Sequence, residues 1–226
     1  MSGAKRLFDL LWTVVGLALL WPVFVVLSLI IALGDGGPVL YRQARVGKGG
    51  RVFRMLKFRT MIVDADKAGS LLTVGRDPRT TPVGRWIRRL KLDELPQLWN
   101  VLRGEMSLVG PRPEVPRYVA LYTAEQWRVL DLIPGITDRA SIKYRDESEL
   151  LARASDPQTV YVSQILPDKI RLNLEYAAHA TVWTDFLVVL STLGHMVRPA
   201  PRSGAEPAPA PGLTGQRESV LSGGRP

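Results

Sequence analysis

The chain contains no cysteine and only two histidines among its 226 residues. The lack of cysteine excludes disulfide bonds, thiol catalysis and cysteine-ligated metals, and it suits the reducing, cytoplasmic side of a cell. His179 and His195 both lie in one late apolar region, and they do not have the HExxH spacing of a zinc-protease helix. We therefore expect them to be ordinary interfacial histidines rather than catalytic groups.

The sequence also lacks the glycine-rich loops that bind phosphate groups through backbone amides. It contains no GxxxxGK[ST] motif and no GxGxxG that follows a strand. Its 30 lysines and arginines outnumber its 21 aspartates and glutamates, which gives a net charge of +9. This charge predicts an anionic partner: a phosphate-bearing ligand, an anionic lipid or a nucleic acid. Any phosphate site must then rest on arginine, lysine and a helix N-terminus.

A third absence is that of charge between Leu10 and Leu33, a 24-residue apolar stretch. As one helix it would be about 36 Å long, which is enough to cross a bilayer. Pro22 lies near its middle, removes a backbone donor and is expected to bend or break the helix. Two halves of about 18 Å each could enter the bilayer and return to the same side.

The charges on both sides of this stretch favour the returning, re-entrant arrangement. Lys5 and Arg6 precede it, and positions 36–63, which follow it, contain seven basic residues and no acidic one. Basic flanks prefer the cytoplasmic side, so both ends are predicted to stay there, with Pro22 as the break. A single span is the main competing interpretation. A cleaved signal peptide is less favoured, because the apolar core is long and Asp9 lies in its flank.

The pattern of the chain divides it into three parts. These are an N-terminal re-entrant membrane helix at 1–35, a cytoplasmic catalytic domain at 36–197, and a Pro-, Ala- and Gly-rich tail at 198–226 that is predicted to be disordered.

Local patterns predict the elements of the middle part. Two strands, Val39–Val46 and Val52–Arg59, flank a turn, and helices are predicted at 83–91, Asp93–Leu102, Pro116–Leu132, 157–176 and Ala177–Val197. The helix at 83–91 and the last helix are amphipathic or apolar enough to lie at a membrane surface. The predicted fold class is therefore mixed α/β, mostly helical, with a small β-hairpin and interfacial amphipathic helices.

The most promising candidate site is the pair Asp93-Glu94, which directly follows a basic segment containing Arg85, Arg88 and Lys91. A helix beginning at Asp93 would point its positive end toward an anion. A carboxylate there can attack phosphorus, and two acids among several bases can also hold Mg²⁺ and a diphosphate. Spacing alone favours the simpler interpretation, in which Asp93 only caps the helix and the bases form a solvated face.

Two further patterns have simple explanations. Asp64-Ala65-Asp66 has the DxD form that holds a metal in many nucleotide-sugar glycosyltransferases, but three surface residues match it easily by chance. Phe53, Met55 and Phe58 could stack on nucleic-acid bases, yet the alternating core of a half-buried hairpin explains them more simply.

The order of the motifs is more specific than any one of them. After Lys5-Arg6-x-x-Asp9 and the apolar stretch come KFRTM at 57–61, LDELPQLWNVLRGEMSLVGPRP at 92–113 and PGIT at 134–137. Together they resemble the bacterial sugar transferases and, more narrowly, the small monotopic polyprenyl-phosphate phosphoglycosyl transferases. The resemblance extends from about Lys5 to Val197.

This resemblance implies a reaction. Such enzymes transfer a sugar-1-phosphate from a UDP-sugar to polyprenyl (undecaprenyl) phosphate, release UMP and begin a bacterial surface-glycan or glycoconjugate pathway. The Asp of their Asp-Glu pair, here Asp93, is the covalent nucleophile and a Mg²⁺ ligand, and Glu94 is its catalytic neighbour. The other site residues predicted here are Lys57, Arg59, Arg88 and Arg112 for substrate phosphates and Arg145 for the nucleotide.

The resemblance also implies a location and partners. The expected place is the cytoplasmic face of the bacterial inner membrane, in contact with its lipid, with no nucleic acid bound; a homodimer is left open. Many relatives continue PGIT with GWAQVNGR, whereas this chain reads DRASIKYR at 138–145, which leaves the sugar undetermined. Two rivals remain: a catalytically inactive scaffold of a glycan-assembly complex, and a membrane-tethered basic protein that binds nucleic acid.

Overall fold

The computed structural model describes residues 2–65, 72, 74, 75 and 77–197. Asp66 and the predicted tail at 198–226 lie outside these residues, so the predicted disorder of the tail and the DxD pair are untested.

The N-terminal apolar stretch forms one long helix, α1, from Gly3 to Asp35. The Ser2 side chain caps its beginning, and Gly36, which has a positive φ of 67°, ends it by donating to the Ala32 carbonyl. Pro22 lies inside this helix. The predicted separation into two helices at Pro22 is therefore wrong. A proline removes only one hydrogen bond, and an apolar helix can continue through it with a local bend.

Helix α1 is the one helix among the described residues that is long and apolar enough to cross a membrane. Nevertheless, both of its ends pack against the rest of the chain. Near its beginning, Arg6 donates to the carbonyls of Val101 (2.7 Å) and Leu102 (3.0 Å). Near its end, buried Leu27 and Ile31 form a core with other apolar side chains, Phe58 and Ile87 among them. The helix therefore lies along the globular part instead of leading away from it.

A β-hairpin follows α1, as predicted. Strand β1 (Leu40–Val46) pairs antiparallel with β2 (Val52–Phe58), and Leu40 lies opposite Phe58. A short 3₁₀ turn at Lys48–Gly50 connects them. Met55 and Phe58 are fully buried, so these two side chains form core contacts and are not available for stacking on nucleic-acid bases.

The central helices are shorter than the patterns predict. Helix α2 covers Pro82–Arg89, a 3₁₀ turn covers Leu92–Glu94, and helix α3 covers only Gln97–Leu102. The prediction of a helix that begins at Asp93 is wrong by four residues. Pro96 takes the N-cap position of α3 because proline is tolerated at a helix start but has no N–H to continue an earlier turn.

A second, parallel sheet of two short strands was not predicted. Strand β3 (Ser107–Val109) pairs with β4 (Gly135–Thr137). Next to this sheet, two backbone segments pack so closely that a Cβ on Gly110 would lie 2.3 Å from the Ile133 carbonyl oxygen. Three-residue strands carry too few side chains for an alternating pattern, which explains why the sequence does not reveal them.

The remainder is helical. The predicted helix at Pro116–Leu132 is in fact a short helix α4 and a 3₁₀ turn, whereas the segment at 157–176 is helical as predicted, with a π-turn inside it. The elements are α4 (Pro116–Val119), the 3₁₀ turn Gln126–Asp131, α5 (Arg139–Lys143), α6 (Glu147–Ala152), α7 (Pro157–Val160), the π-turn Tyr161–Ile165, α8 (Leu166–Ala178) and α9 (Val182–Val197).

Many apolar side chains are exposed on α1 and α9. The rings of Trp12 on α1 and Phe186 on α9 lie 6.0 Å apart and join the two helices. Exposed apolar side chains in such number indicate a binding surface, and exposed tryptophans among them are typical of a membrane interface. The exposed members include Leu7, Leu11, Val14, Leu19, Trp21, Val25, Leu29 and Leu33 of α1 and Trp183, Leu187, Leu190 and Leu193 of α9.

The close packing of Gly84 on α2 gives a test of this fold. A Cβ at Gly84 would lie 2.0 Å from the backbone oxygen of Thr60, so Gly84→Ala should destabilise the protein by about 1–3 kcal/mol. Gly194→Ala in α9 is the matched control. Nothing lies within 4 Å of a Cβ there, and removing a helical glycine should stabilise by up to about 1 kcal/mol. Thermal unfolding in detergent measures the stability of both variants. Equal effects of the two substitutions would contradict the close packing at Gly84.

Candidate active site

The Asp93-Glu94 pair lies on a sharp turn between α2 and α3. Lys91, which directly precedes this turn, adopts a left-handed conformation with φ 56°. A non-glycine residue in this conformation costs about 1–2 kcal/mol, so the surrounding contacts must hold it there. The turn brings Asp93 into a buried position, while the following helix begins only at Gln97. Asp93 therefore does not cap a helix, and the simpler interpretation of this residue is wrong.

Glu94 is neutralised by two basic side chains. Arg112 donates to both of its carboxylate oxygens, through Nη1 at 3.0 Å and through a shorter contact from Nη2. The Lys57 ammonium lies 3.5 Å from Oε1. Burial alone would raise the pKa of Glu94, but Arg112 and Lys57 together hold it well below its usual range. Glu94 is thus a fixed anion that orients a cation on each side.

Asp93 is in the opposite situation. No hydrogen bond or ion pair from the described part of the chain reaches its carboxylate, although the side chain is buried. Burial and the neighbouring Glu94 charge both raise the pKa of Asp93, while Lys57 and Arg88 counteract them. A desolvated carboxylate without hydrogen-bond donors retains its full nucleophilicity.

The two cations that face the Asp93 carboxylate are Lys57 and Arg88. Burial lowers the pKa of Lys57 to about 8, against the influence of Glu94, which raises it. Arg88 on α2 is close enough to Asp93 for their charges to influence each other, and its Nε donates to the Thr60 hydroxyl at 2.7 Å. The arrangement is one unpaired anion beside several cations, which suits a ligand that carries several phosphate charges.

Sequence reasoning missed the residues that hold these groups in place. Buried Asn100 accepts from the backbone N–H of Leu56 (3.0 Å) and donates to the Arg54 carbonyl (2.9 Å), which fixes α3 to the strand that carries Lys57. Arg45 donates to the Pro113 carbonyl (2.9 Å) and pairs with Glu114, next to the loop that presents Arg112. The partners of Asn100 and Arg45 are distant in sequence, so apart from their residue type nothing in the sequence indicates these roles.

Two residues predicted to contact a phosphate or the nucleotide have other surroundings than Asp93 and Glu94. Arg59 is buried and its Nε donates to the Pro38 carbonyl at 2.6 Å, between the anchor helix and the hairpin. Arg145 is half-buried in the connection between α5 and α6. Their proposed roles in binding substrate remain predictions. His195 lies with Nδ1 2.7 Å from the Ser191 carbonyl, a local contact within its own helix.

The donor set is compatible with the predicted Mg²⁺. No three acidic or histidine side chains of the described chain cluster into a ready-made metal site. Mg²⁺, however, is commonly held by one or two carboxylates, with substrate phosphates and water completing its shell. Asp93 fits such a ligand because it is buried and unpaired, whereas Glu94 is already engaged. The magnesium itself remains a prediction.

Comparisons with known proteins give matches along most of the chain. The profile of the bacterial sugar transferases matches residues 1–199. The chain is 45% identical over 135 residues to a putative undecaprenyl-phosphate N-acetylgalactosaminyl 1-phosphate transferase of Bacillus subtilis (strain 168), covering 60% of this chain and 72% of that protein. It is 33% identical over 205 residues to the exopolysaccharide production protein ExoY of Rhizobium meliloti (strain 1021), covering 84% of each.

A longer relative matches only through one part. The undecaprenyl-phosphate glucose phosphotransferase of Komagataeibacter xylinus is 41% identical over 196 residues, which are 84% of this chain but 35% of that protein. Since the family profile and the relatives of similar length both cover most of the sequence, the predicted resemblance is confirmed, and the chain belongs to the bacterial sugar transferase family.

Proposed function

We propose that this protein transfers a sugar-1-phosphate from a UDP-sugar to polyprenyl phosphate and so begins the assembly of a bacterial surface glycan. The observation that carries this proposal is the unpaired, buried Asp93 carboxylate beside Lys57, Arg88 and the Glu94–Arg112 pair. The relatives named above as undecaprenyl-phosphate sugar phosphotransferases support both the donor and the acceptor class.

The reaction proceeds in two displacements. An oxygen of Asp93 attacks the β-phosphorus of the UDP-sugar, and the bond between that phosphorus and the oxygen bridging to the α-phosphate breaks, so that UMP leaves with the electron pair. The phosphosugar is then carried on Asp93 as an acyl phosphate. A phosphate oxygen of the polyprenyl phosphate attacks the same phosphorus, the Asp93–phosphorus bond breaks, and the free carboxylate returns.

The remaining residues act on charge and position. Lys57 and Arg88 stabilise the negative charge that spreads over the phosphoryl oxygens in each displacement. Glu94 holds Arg112 and Lys57 in fixed directions, and Thr60 does the same for Arg88. When bound, Mg²⁺ would supply further neutralisation of the diphosphate, with Asp93 among its ligands.

The identity of the sugar stays open. One relative is named for N-acetylgalactosamine and another for glucose. The segment 138–145, in which this chain differs from the GWAQVNGR pattern of many relatives, contains α5, and the charge of Asp138 at its start influences Arg112.

The contacts of α1 support a monotopic, re-entrant arrangement on the cytoplasmic face. Arg6 near one end and Ile31 near the other both contact the body that carries Asp93. A straight transmembrane span would separate these two contacts by the thickness of the bilayer, about 30 Å of hydrocarbon. A helix bent at Pro22 that enters only the inner leaflet keeps both contacts with one body on one side.

The first prediction concerns the half-reaction. The protein incubated with its UDP-sugar and Mg²⁺, without lipid, should release up to one equivalent of UMP and gain the mass of a phosphosugar. Asp93→Asn should abolish both signals, because an amide keeps the shape of the side chain but is a poor nucleophile. The measurements are UMP quantification and intact-protein mass spectrometry.

Asp64→Asn is the matched control for this experiment, because Asp64 is an exposed carboxylate with a positive φ that asparagine also tolerates. It should behave like the unmodified protein. An Asp93→Asn variant that still forms the adduct would move the nucleophile to another residue. Glu94→Gln should slow turnover by at least about 100-fold, because it leaves Arg112 and Lys57 without their orienting anion.

The second prediction concerns pH. Since the pKa of Lys57 is lowered to about 8, the Lys57 cation is lost as the pH rises through that value, and kcat/KM for the UDP-sugar should fall there. The raised pKa of Asp93 should place the acidic limb above the usual aspartate range near 4. Lys57→Arg keeps its charge at high pH and should move the alkaline limb upward, even if the maximal rate is reduced. An unchanged alkaline limb in this variant would show that another group titrates.

The third prediction concerns topology and uses the lack of native cysteine. Cysteine introduced at Ser2 or at Gly34, where a side chain meets no neighbour within 4 Å, should resist a membrane-impermeant thiol reagent added from the periplasmic side of intact cells. Pro22→Ala should shift part of the population to periplasmic labelling at position 2, because a straight helix can span. Full periplasmic labelling of the Ser2→Cys variant that retains Pro22 would establish a spanning helix instead.

A further inference from the structure

A groove of about 300 Å³ lies between α5 and α9, outside the Asp93 cluster. One of its walls comes from α5 and the other from α9. The lining combines apolar side chains with two hydroxyls and one cation: Arg139, Ile142, Thr184, Leu187, Val188 and Ser191. This composition suits a ligand with an apolar body and an anionic end.

The cation of the groove is available for a ligand. Arg139 is exposed, and the centre of its guanidinium lies 4.9 Å from the centre of the Tyr176 ring. No carboxylate of the described residues pairs with it. The Tyr176 hydroxyl donates to Asp185 at 2.6 Å, which keeps the ring in place beneath the guanidinium. An arginine stacked on a fixed ring is preorganised and retains its N–H donors for an anion.

The apolar side of the groove is continuous with the surface assigned above to the membrane. Leu187 lines the groove and also belongs to the exposed stripe of α9, which includes Trp183, Leu190 and Leu193. Phe186 on the same helix contacts Trp12 of the anchor. A hydrocarbon chain can therefore leave the groove directly into lipid without crossing water.

Helix α5, which forms one wall of the groove, is linked to the loop that carries Arg112. Asp138, the residue before Arg139, caps α5 by accepting from the Ser141 N–H at 2.7 Å and is fully buried. Its charge is close enough to Arg112 to raise the pKa of that arginine, the same residue that binds Glu94. Strand β4 joins the two regions, because Thr137 pairs with Val109 three residues before Arg112.

We propose that this groove is the entry site of the polyprenyl phosphate acceptor. Arg139 binds its phosphate, and Ile142, Leu187 and Val188 contact the first isoprene units. Charge complementarity favours a phosphate-headed lipid, and the link from α5 through Asp138 and β4 to the Arg112 loop favours the acceptor over a bulk phospholipid. The inference rests on the proposed function, since it names the site of that reaction's second substrate.

The experiment separates the two steps of the reaction. Arg139→Gln should still release UMP from the UDP-sugar in the absence of acceptor, because that step does not use the groove. Its KM for undecaprenyl phosphate in detergent micelles should rise at least about tenfold, since a charge-assisted contact is lost. Arg139→Lys should recover part of the loss, and Ser191→Phe, which fills the groove without a change of charge, should also raise this KM.

Arg128→Gln removes the same charge from an exposed position on the Gln126–Asp131 turn and should leave the acceptor KM unchanged. Flotation with phosphatidylglycerol vesicles provides the second arm. An Arg139→Gln variant that binds these vesicles less well but has an unchanged acceptor KM would overturn the proposal and identify a bulk-lipid contact. If the unmodified protein releases no UMP, the proposed function fails. Equilibrium binding of farnesyl phosphate then tests the groove. Equal binding to the unmodified and Arg139→Gln proteins would overturn the proposal that the groove binds an isoprenoid phosphate.

Discussion

The site depends on an unequal pairing of two adjacent carboxylates. Glu94 accepts two hydrogen bonds from Arg112 and lies beside Lys57, so its charge is fixed and neutralised. Asp93 receives no such contact from the described residues. Two adjacent buried anions would repel each other strongly, and the cations on Glu94 remove most of that cost. This leaves one carboxylate ionisable but unpaired, which is the state that a nucleophile for phosphorus requires.

The same constraint explains the shape of the surrounding chain. Lys91 adopts a left-handed conformation where the chain turns between α2 and α3, and α3 begins only after Pro96. If a helix began at Asp93, its N–H groups would engage the carboxylate as a cap and lower its nucleophilicity. Asn100 connects α3 to the hairpin, and Arg45 connects the hairpin to the loop at 110–113. The site therefore depends on segments that are distant in sequence.

The sequence predicts the parts of this structure that depend on local periodicity or on long motifs. The hairpin strands are correct to one residue, and the Asp93-Glu94 pair follows from the motif order. Three features were not predictable. The split of the Pro116–Leu132 helix and the short β3 and β4 strands depend on tertiary contacts, and the continuity of α1 through Pro22 depends on how one missing hydrogen bond is tolerated. The hydrogen bond from Arg59 to the Pro38 carbonyl likewise depends on tertiary structure, and the predicted phosphate contact of Arg59 remains a prediction.

The proposed mechanism requires that Asp93 forms a covalent intermediate before the lipid acceptor takes part. The most direct measurement is isotope exchange between radiolabelled UMP and the unlabelled UDP-sugar in the complete absence of polyprenyl phosphate. Label should enter the UDP-sugar, because the phosphosugar on Asp93 can return to UMP. Asp93→Asn should eliminate this exchange. An enzyme that turns over fully with acceptor but shows no exchange without it would contradict the account, since direct attack by the lipid phosphate would then explain the reaction.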